Sequence, residues 1–159
     1  QYPQTMSSIA AQCIDLWHDT GVQLDAWVVP TASSLVTAQG VLSVHQRAEL
    51  TRLLGDHQQA TTLFEQAIQT HGTSLQLLAG LADCTRDATR MRQVRSGSSP
   101  NGETAYWYWL SQLRLLQWHL DAGGDKNAVV AKVNRLRIKD ASLGGANFIS
   151  EFNTLCVVD

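Results

Sequence analysis

The stretch LLGDHQQATTLFEQAIQ, residues 53–69, is the most informative part of this chain. Gly55 and Asp56 form a turn signal, and Ala60, Phe64 and Ala67 follow at spacings of four and three residues. This spacing places the three side chains on one face of a helix. Because small residues flank the one large residue on that face, the stretch predicts a helix that packs closely against its neighbours.

The composition is that of a folded protein with a core. The 159 residues are 44% hydrophobic and 16% charged, which excludes a mostly disordered chain. The formal net charge of -2 predicts no general attraction to nucleic acid. No apolar run approaches the roughly 18 to 20 residues that cross a bilayer, so we predict no membrane insertion. The cysteines at positions 13, 84 and 156 fit no metal or disulfide spacing and predict buried free thiols.

Most of the sequence predicts helices joined by short turns, without strand alternation. Ser33 or Ser34 is the expected N-cap of a long helix that Gly55 ends, and Asp56 and Ser74 are the expected N-caps of the next two. Residues 24–30 fit either a short helix or an extended segment. The predicted helices cover residues 6–19, 34–54, 57–71, 75–94 with a break near Asp87, 103–122 and 126–139, followed by a short helix that carries Phe148, Phe152 and Leu155.

Turn glycines recur along the chain with a period near 34 residues, at Gly21, Gly55 and Gly124. In these residues the chain resembles the tetratricopeptide repeat, a helix–turn–helix unit of about 34 residues. The structural repeat positions that match the family are Gly55, Asp56, Ala60, Phe64 and Ala67, with Gly124 and Asp125 in the last unit.

The resemblance implies an all-α fold in one domain over residues 1–159, a right-handed superhelix (solenoid) of antiparallel helix pairs. The repeats would cover approximately residues 7–40, 41–74, 75–108 and 110–143, and residues 144–159 would form a short C-terminal capping helix. A generic helix bundle without repeats is the alternative. A second resemblance, to the closing segment of large bacterial tetratricopeptide-type proteins, implies the C-terminal part of a longer, soluble bacterial protein. It rests on Asp140, Leu143, Gly144, Gly145 and Phe152.

Catalytic motifs are absent from the sequence. It contains no Gly-rich phosphate loop, HExxH, CxxC or GxSxG, so we predict no catalytic residue, no cofactor and no metal site. The five histidines are scattered, which predicts surface or capping positions. Asp83 and Asp87, next to Arg86 and Arg90, favour a solvated face with ion pairs over an acid–base pair.

Two further patterns leave a binding role open. The basic run Arg86, Arg90, Arg92 and Arg95 favours a solvated face, with an acidic peptide or a phosphate as the alternative ligand. The helix over residues 103–122 carries three tryptophans. Either all three pack in the core, or one helix face offers an exposed aromatic anchor to a partner.

The function implied by the resemblance is a non-enzymatic protein–protein interaction scaffold. A peptide or partner protein would bind on the concave face of the solenoid. An architectural end cap, a module that self-associates into a homo-oligomer, and an accessory domain of an upstream enzyme are the alternatives. One subclass of the family clamps a C-terminal carboxylate with Lys and Asn, and this face lacks both residue types. The predicted partner-binding residues are His45, Glu49, Arg52, Asp83, Arg86, Arg114 and Trp118.

Overall fold

A computed structural model describes residues 3–20, 28–38, 40 and 42–157 of the chain. Every regular element in this part of the chain is a helix, so the predicted all-α class is confirmed. Gly21 and residues 24–27, which entered the predictions above, lie outside the described residues. The helices are α1 (Pro3–Thr20), α2 (Val28–Thr37), α3 (Val44–Leu53), α4 (His57–His71), α5 (Leu75–Thr85), α6 (Ala88–Ser96), α7 (Ala105–Asp121), α8 (Lys126–Lys139) and α9 (Ile149–Leu155).

The helices fall into two compact units, each described by itself below. Unit 1 covers Gln1–Asp87 and holds α1 to α5, and unit 2 covers Ala88–Asp159 and holds α6 to α9. The predicted single domain over residues 1–159 stays a prediction. None of the described helices is both long and apolar enough to cross a membrane.

The α3–α4 hairpin of unit 1 forms as the opening stretch predicts. Gly55, with φ +90°, makes the turn, and the Asp56 side chain accepts a hydrogen bond from the backbone N–H of Gln59 at the start of α4. Ala60, Phe64 and Ala67 are fully buried. The helix face that they form packs against α3 and α5.

A glycine of α5 makes room for the large residue on this face. A β-carbon at Gly80 would overlap the ring of Phe64, so the close approach of α4 and α5 depends on the absence of a side chain there. The small–large–small pattern of α4 is therefore matched by a small residue on the neighbouring helix.

The predicted long helix over residues 34–54 is wrong. The chain leaves α2 after Thr37, Gly40 has φ +77°, and α3 begins at Val44. Ser43 is the N-cap: its hydroxyl accepts from the Gln46 N–H while the Gln46 side chain accepts from the Ser43 N–H. This reciprocal capping box satisfies backbone N–H donors at the start of α3. It therefore sets the N-terminus of α3 at Val44, although the helical spacing of apolar residues continues across that point. The two expected N-cap residues lie inside α2 instead, where their hydroxyls donate to backbone carbonyls; they are Ser33 and Ser34.

Unit 2 is built around the aromatic helix α7. Trp107 and Trp109 are 4% and 2% exposed, and the Trp109 indole donates to the carbonyl of Pro100 at 3.1 Å. The predicted turn at Gly124 and Asp125 is present, and Asp125 caps α8, whose bounds match the predicted ones. The short C-terminal helix α9 packs on α7 and α8 through the buried Phe152.

Candidate functional site

Three of the predicted partner-binding residues lie in the interior of unit 1. Glu49, Arg52 and Asp83 are 2%, 5% and 4% exposed. Helices α1, α2, α4 and α5 all pack on α3, so even its polar residues are enclosed. Because buried charges need partners, these three side chains pair with one another and offer a partner almost no surface.

Arg52 is the centre of this buried network. Its Nε and Nη2 donate to the Glu49 carboxylate at 3.0 and 2.6 Å, and its Nη1 donates to Asp83 Oδ2 at 2.7 Å. The Nε2 of His18, on α1, lies 2.8 Å from Glu49 Oε1. The network therefore connects α1, α3 and α5 through side chains 31 residues apart in sequence. Asp83 was predicted to lie on a solvated face, but its carboxylate is buried and forms this long-range ion pair with Arg52.

The electrostatics of the network favour a structural role. Burial by itself raises the pKa of Glu49, but the Arg52 charge and hydrogen bonds from His18 and Arg52 outweigh it and hold the pKa at about 2. A general base at neutral pH needs a pKa near that pH, and this carboxylate is far too weak a base. Burial raises the pKa of the neighbouring Cys84 thiol to about 12, against the opposing charge of Arg52, so a thiolate nucleophile is not available there either.

The other four predicted partner-binding residues lie outside this network, two in unit 1 and two in unit 2. In unit 1, His45 is half-buried, and Arg86 is exposed at the C-terminus of α5 with φ +54°. Burial lowers the pKa of His45, with Glu49 opposing and His71 reinforcing that shift. In unit 2, Arg114 is half-buried and donates to Gln117 at 2.9 Å and to Glu151 at 3.4 Å.

Among the described residues, no three or more histidine, cysteine or acidic side chains are grouped so that they could hold a metal ion. All three cysteines are free thiols, as predicted. Cys13 is also buried as predicted, whereas the predicted burial is wrong for Cys84 and Cys156, which are half-buried.

A concavity lies within unit 2, among α6, α7 and α8. It has a volume of about 500 Å³, in the range of roughly 300 to 1,000 Å³ that is usual for ligand sites. Trp118, half-buried on α7, is the one predicted partner-binding residue that lines it. We call this concavity the α6–α8 groove; its lining residues are Ala88, Arg92, Arg95, Gln112, Leu115, Leu116, Trp118, His119, Ala122, Ala128, Val129 and Lys132.

Helical spacing explains how each helix presents residues to the α6–α8 groove. On α6, Ala88, Arg92 and Arg95 are spaced four and three apart and form one stripe. The basic run found in the sequence is therefore divided, because Arg90 is not on that stripe. The α7 stripe runs at the same spacing from Gln112 to Ala122, and α8 adds Lys132 one turn after Ala128.

The α6–α8 groove combines an apolar floor with positive charge. Apolar atoms make most of its surface, and half of its lining residues are leucine, valine or alanine. Arg92, Arg95 and Lys132 supply cations, and no carboxylate lines it. Burial, and then the neighbouring charges of Arg95, Arg135 and Lys139, lower the pKa of Lys132. Like charges thus accumulate at this position.

Comparison of the chain with protein-family models, with curated proteins and with solved structures gave no match. The site therefore has to be interpreted from its own geometry.

Proposed function

We propose that this protein is a non-enzymatic interaction scaffold and that a segment of a partner protein binds in the α6–α8 groove. One observation carries the proposal. The groove combines adequate volume, a largely apolar lining and an aromatic side chain, Trp118, that is partly exposed to solvent. Tryptophan and arginine are enriched at interface hot spots, and Trp118, Arg92 and Arg95 all line this groove.

The helical-repeat architecture belongs to the same proposal. The α3–α4 hairpin supports it, because Gly55 and Asp56 form its turn and Ala60, Phe64 and Ala67 form its packing face, as in a tetratricopeptide unit. In unit 2, Asp125 caps α8 in the corresponding way. A tetratricopeptide-like solenoid that ends in α9 is thus the architecture we propose for the scaffold.

The alternative of catalysis has less support from the geometry. The buried carboxylate of Glu49 is paired with Arg52 and hydrogen-bonded to His18, and the Cys84 thiol is held protonated. The α6–α8 groove is lined by cations, an amide and the imidazole of His119, but by no carboxylate that would orient this imidazole and by no thiol that could act as a nucleophile. This lining supports binding better than catalysis.

The test is selection of short random peptides, displayed on phage, against the full chain, followed by fluorescence anisotropy of the enriched peptides. Ala128 and Ala131 are both exposed alanines on α8, but only Ala128 lines the groove. We expect Ala128→Phe to fill the groove and to weaken binding at least about tenfold, and Ala131→Phe to leave it unchanged. No enrichment, or equal binding by the two variants, would overturn the proposal.

A further inference from the structure

Charge is distributed unequally along this chain. Unit 2 carries nine Lys and Arg residues and six Asp and Glu residues, a formal charge of +3. Unit 1 carries three Lys and Arg residues and eight Asp and Glu residues, a formal charge of -5. The overall charge of -2 therefore conceals a basic unit that contains the α6–α8 groove. A basic unit attracts anionic ligands.

Three of the nine cationic side chains of unit 2 line the α6–α8 groove. Arg92 is exposed and Arg95 and Lys132 are half-buried. Among the described residues, none of the three forms an ion pair with a carboxylate. Arg114, by contrast, lies on the same helix as part of the groove lining but pairs with Glu151. The groove thus holds cations that lack an internal counter-ion.

A buried amide adds a hydrogen-bonding group to the lining. Gln112 is 4% exposed and lines the groove. The Gln112 side chain forms no hydrogen bond to another described residue. Because every fully buried polar side-chain atom of the described residues has a hydrogen-bond partner, the polar atoms of Gln112 are not fully buried. The Gln112 amide therefore reaches solvent, where it can donate to and accept from a peptide backbone.

We infer that the α6–α8 groove binds an acidic peptide segment, whose apolar side chain enters beside Trp118 and whose carboxylates pair with Arg92, Arg95 and Lys132. The inference rests on the proposed function and names the chemistry of its partner. An acidic peptide fits better than a nucleic acid because half of the lining residues are Leu, Val or Ala and the rings in the lining are confined to the adjacent Trp118 and His119. Single-stranded nucleic acid uses several stacking platforms spread along a basic track.

The experiment measures fluorescence anisotropy of two labelled peptides on the full chain. The acidic probe is DEELFDELD, and its uncharged isostere is NQQLFNQLN. We expect the acidic probe to bind about tenfold or more tightly than the isostere, and its affinity to fall as salt is added.

Two variants with the same change in net charge localise the effect. Arg92→Gln with Lys132→Gln alters the groove, whereas Arg90→Gln with Lys126→Gln alters α6 and α8 away from it. The first variant should lose the preference for the acidic probe, and the second should keep it. All these residues are exposed or half-buried, so circular dichroism should give the same helix content for both.

Each other outcome overturns the inference in a recognisable way. If both probes bind equally and Ala128→Phe abolishes both, the partner is apolar but not acidic, and the proposed function stands. If neither probe binds but the selected peptides do, acidic recognition is refuted and the proposed function again stands. If the selection also yields nothing, the proposed function fails with it. Tighter, groove-dependent binding of oligouridine than of the acidic probe would assign the groove to nucleic acid.

Discussion

Removal of the Arg52 side chain tests whether the buried network stabilises unit 1. The Arg52 side chain is 3% exposed and donates three hydrogen bonds to two carboxylates whose side chains are 2% and 3% exposed. Arg52→Met keeps much of the aliphatic stem but leaves both carboxylates without their cation. Breaking one side of a buried ion pair costs about 3 to 5 kcal/mol. We expect a value near the lower end, because Glu49 keeps its contact with His18 and both carboxylates can take up protons.

The assay is urea unfolding at pH 7, followed by circular dichroism, with hydrogen exchange to report on α3 and α5. Arg135 is an exposed arginine of α8, and Arg135→Met should change the free energy of unfolding by less than about 0.5 kcal/mol. A triple variant, Glu49→Met with Arg52→Met and Asp83→Leu, removes all three charges and should recover most of the loss.

Two results would refute this reasoning. If Arg52→Met costs less than about 1 kcal/mol, the network contributes no more than surface ion pairs do. If the triple variant is less stable than Arg52→Met alone, the destabilisation comes from lost packing and not from uncompensated charge.

Three further predictions concern the interior of unit 1. Gly80→Ala should lower the free energy of unfolding, measured in urea, by about 1 to 3 kcal/mol, because the new methyl group overlaps the Phe64 ring. Adding Phe64→Leu should restore part of this loss, whereas additive losses would show that residues 64 and 80 do not interact. The pKa of Glu49 is lowered from 4.5 to about 2, so its ionised form stabilises the fold fully above pH 4.5 and progressively less toward pH 2; the urea midpoint should fall over this interval, and an equally steep fall in Glu49→Gln would exclude Glu49 as the cause. Alkylation of Cys84 at pH 8, followed by mass spectrometry, should be at least about tenfold slower in the native protein than in urea, because burial raises the pKa of its thiol to about 12; equal rates would contradict this.

Helix boundaries could be predicted wherever the deciding signal lies within one turn. Asp56 caps α4 with its own side chain, and Gly72 ends the same helix, so the bounds of α4 follow from adjacent residues. The break between α2 and α3 was missed although a signal was present. Ser43 and Gln46 have the spacing of a capping box, and the apolar periodicity that runs through them was given more weight.

The candidate sites were less accessible to sequence reasoning. Glu49 and Arg52, three residues apart on a helix, have the pattern of an ordinary surface ion pair. Their burial depends on the four helices that enclose α3. His18 gave no signal, because its contact with Glu49 joins residues 31 positions apart.

The sequence by itself determined the helical class, most helix ends and the close packing of α4. These properties depend on spacing and caps within a few residues, and such interactions form wherever the chain turns into a helix. Only the tertiary structure decided which polar residues are buried and where a cavity opens. Three stripes, on α6, α7 and α8, line the α6–α8 groove, and each stripe alone has the pattern of an ordinary amphipathic helix. Whether such a stripe becomes core, surface or groove is determined by the helices packed beside it, because burial is a property of neighbours in space and not of neighbours in sequence.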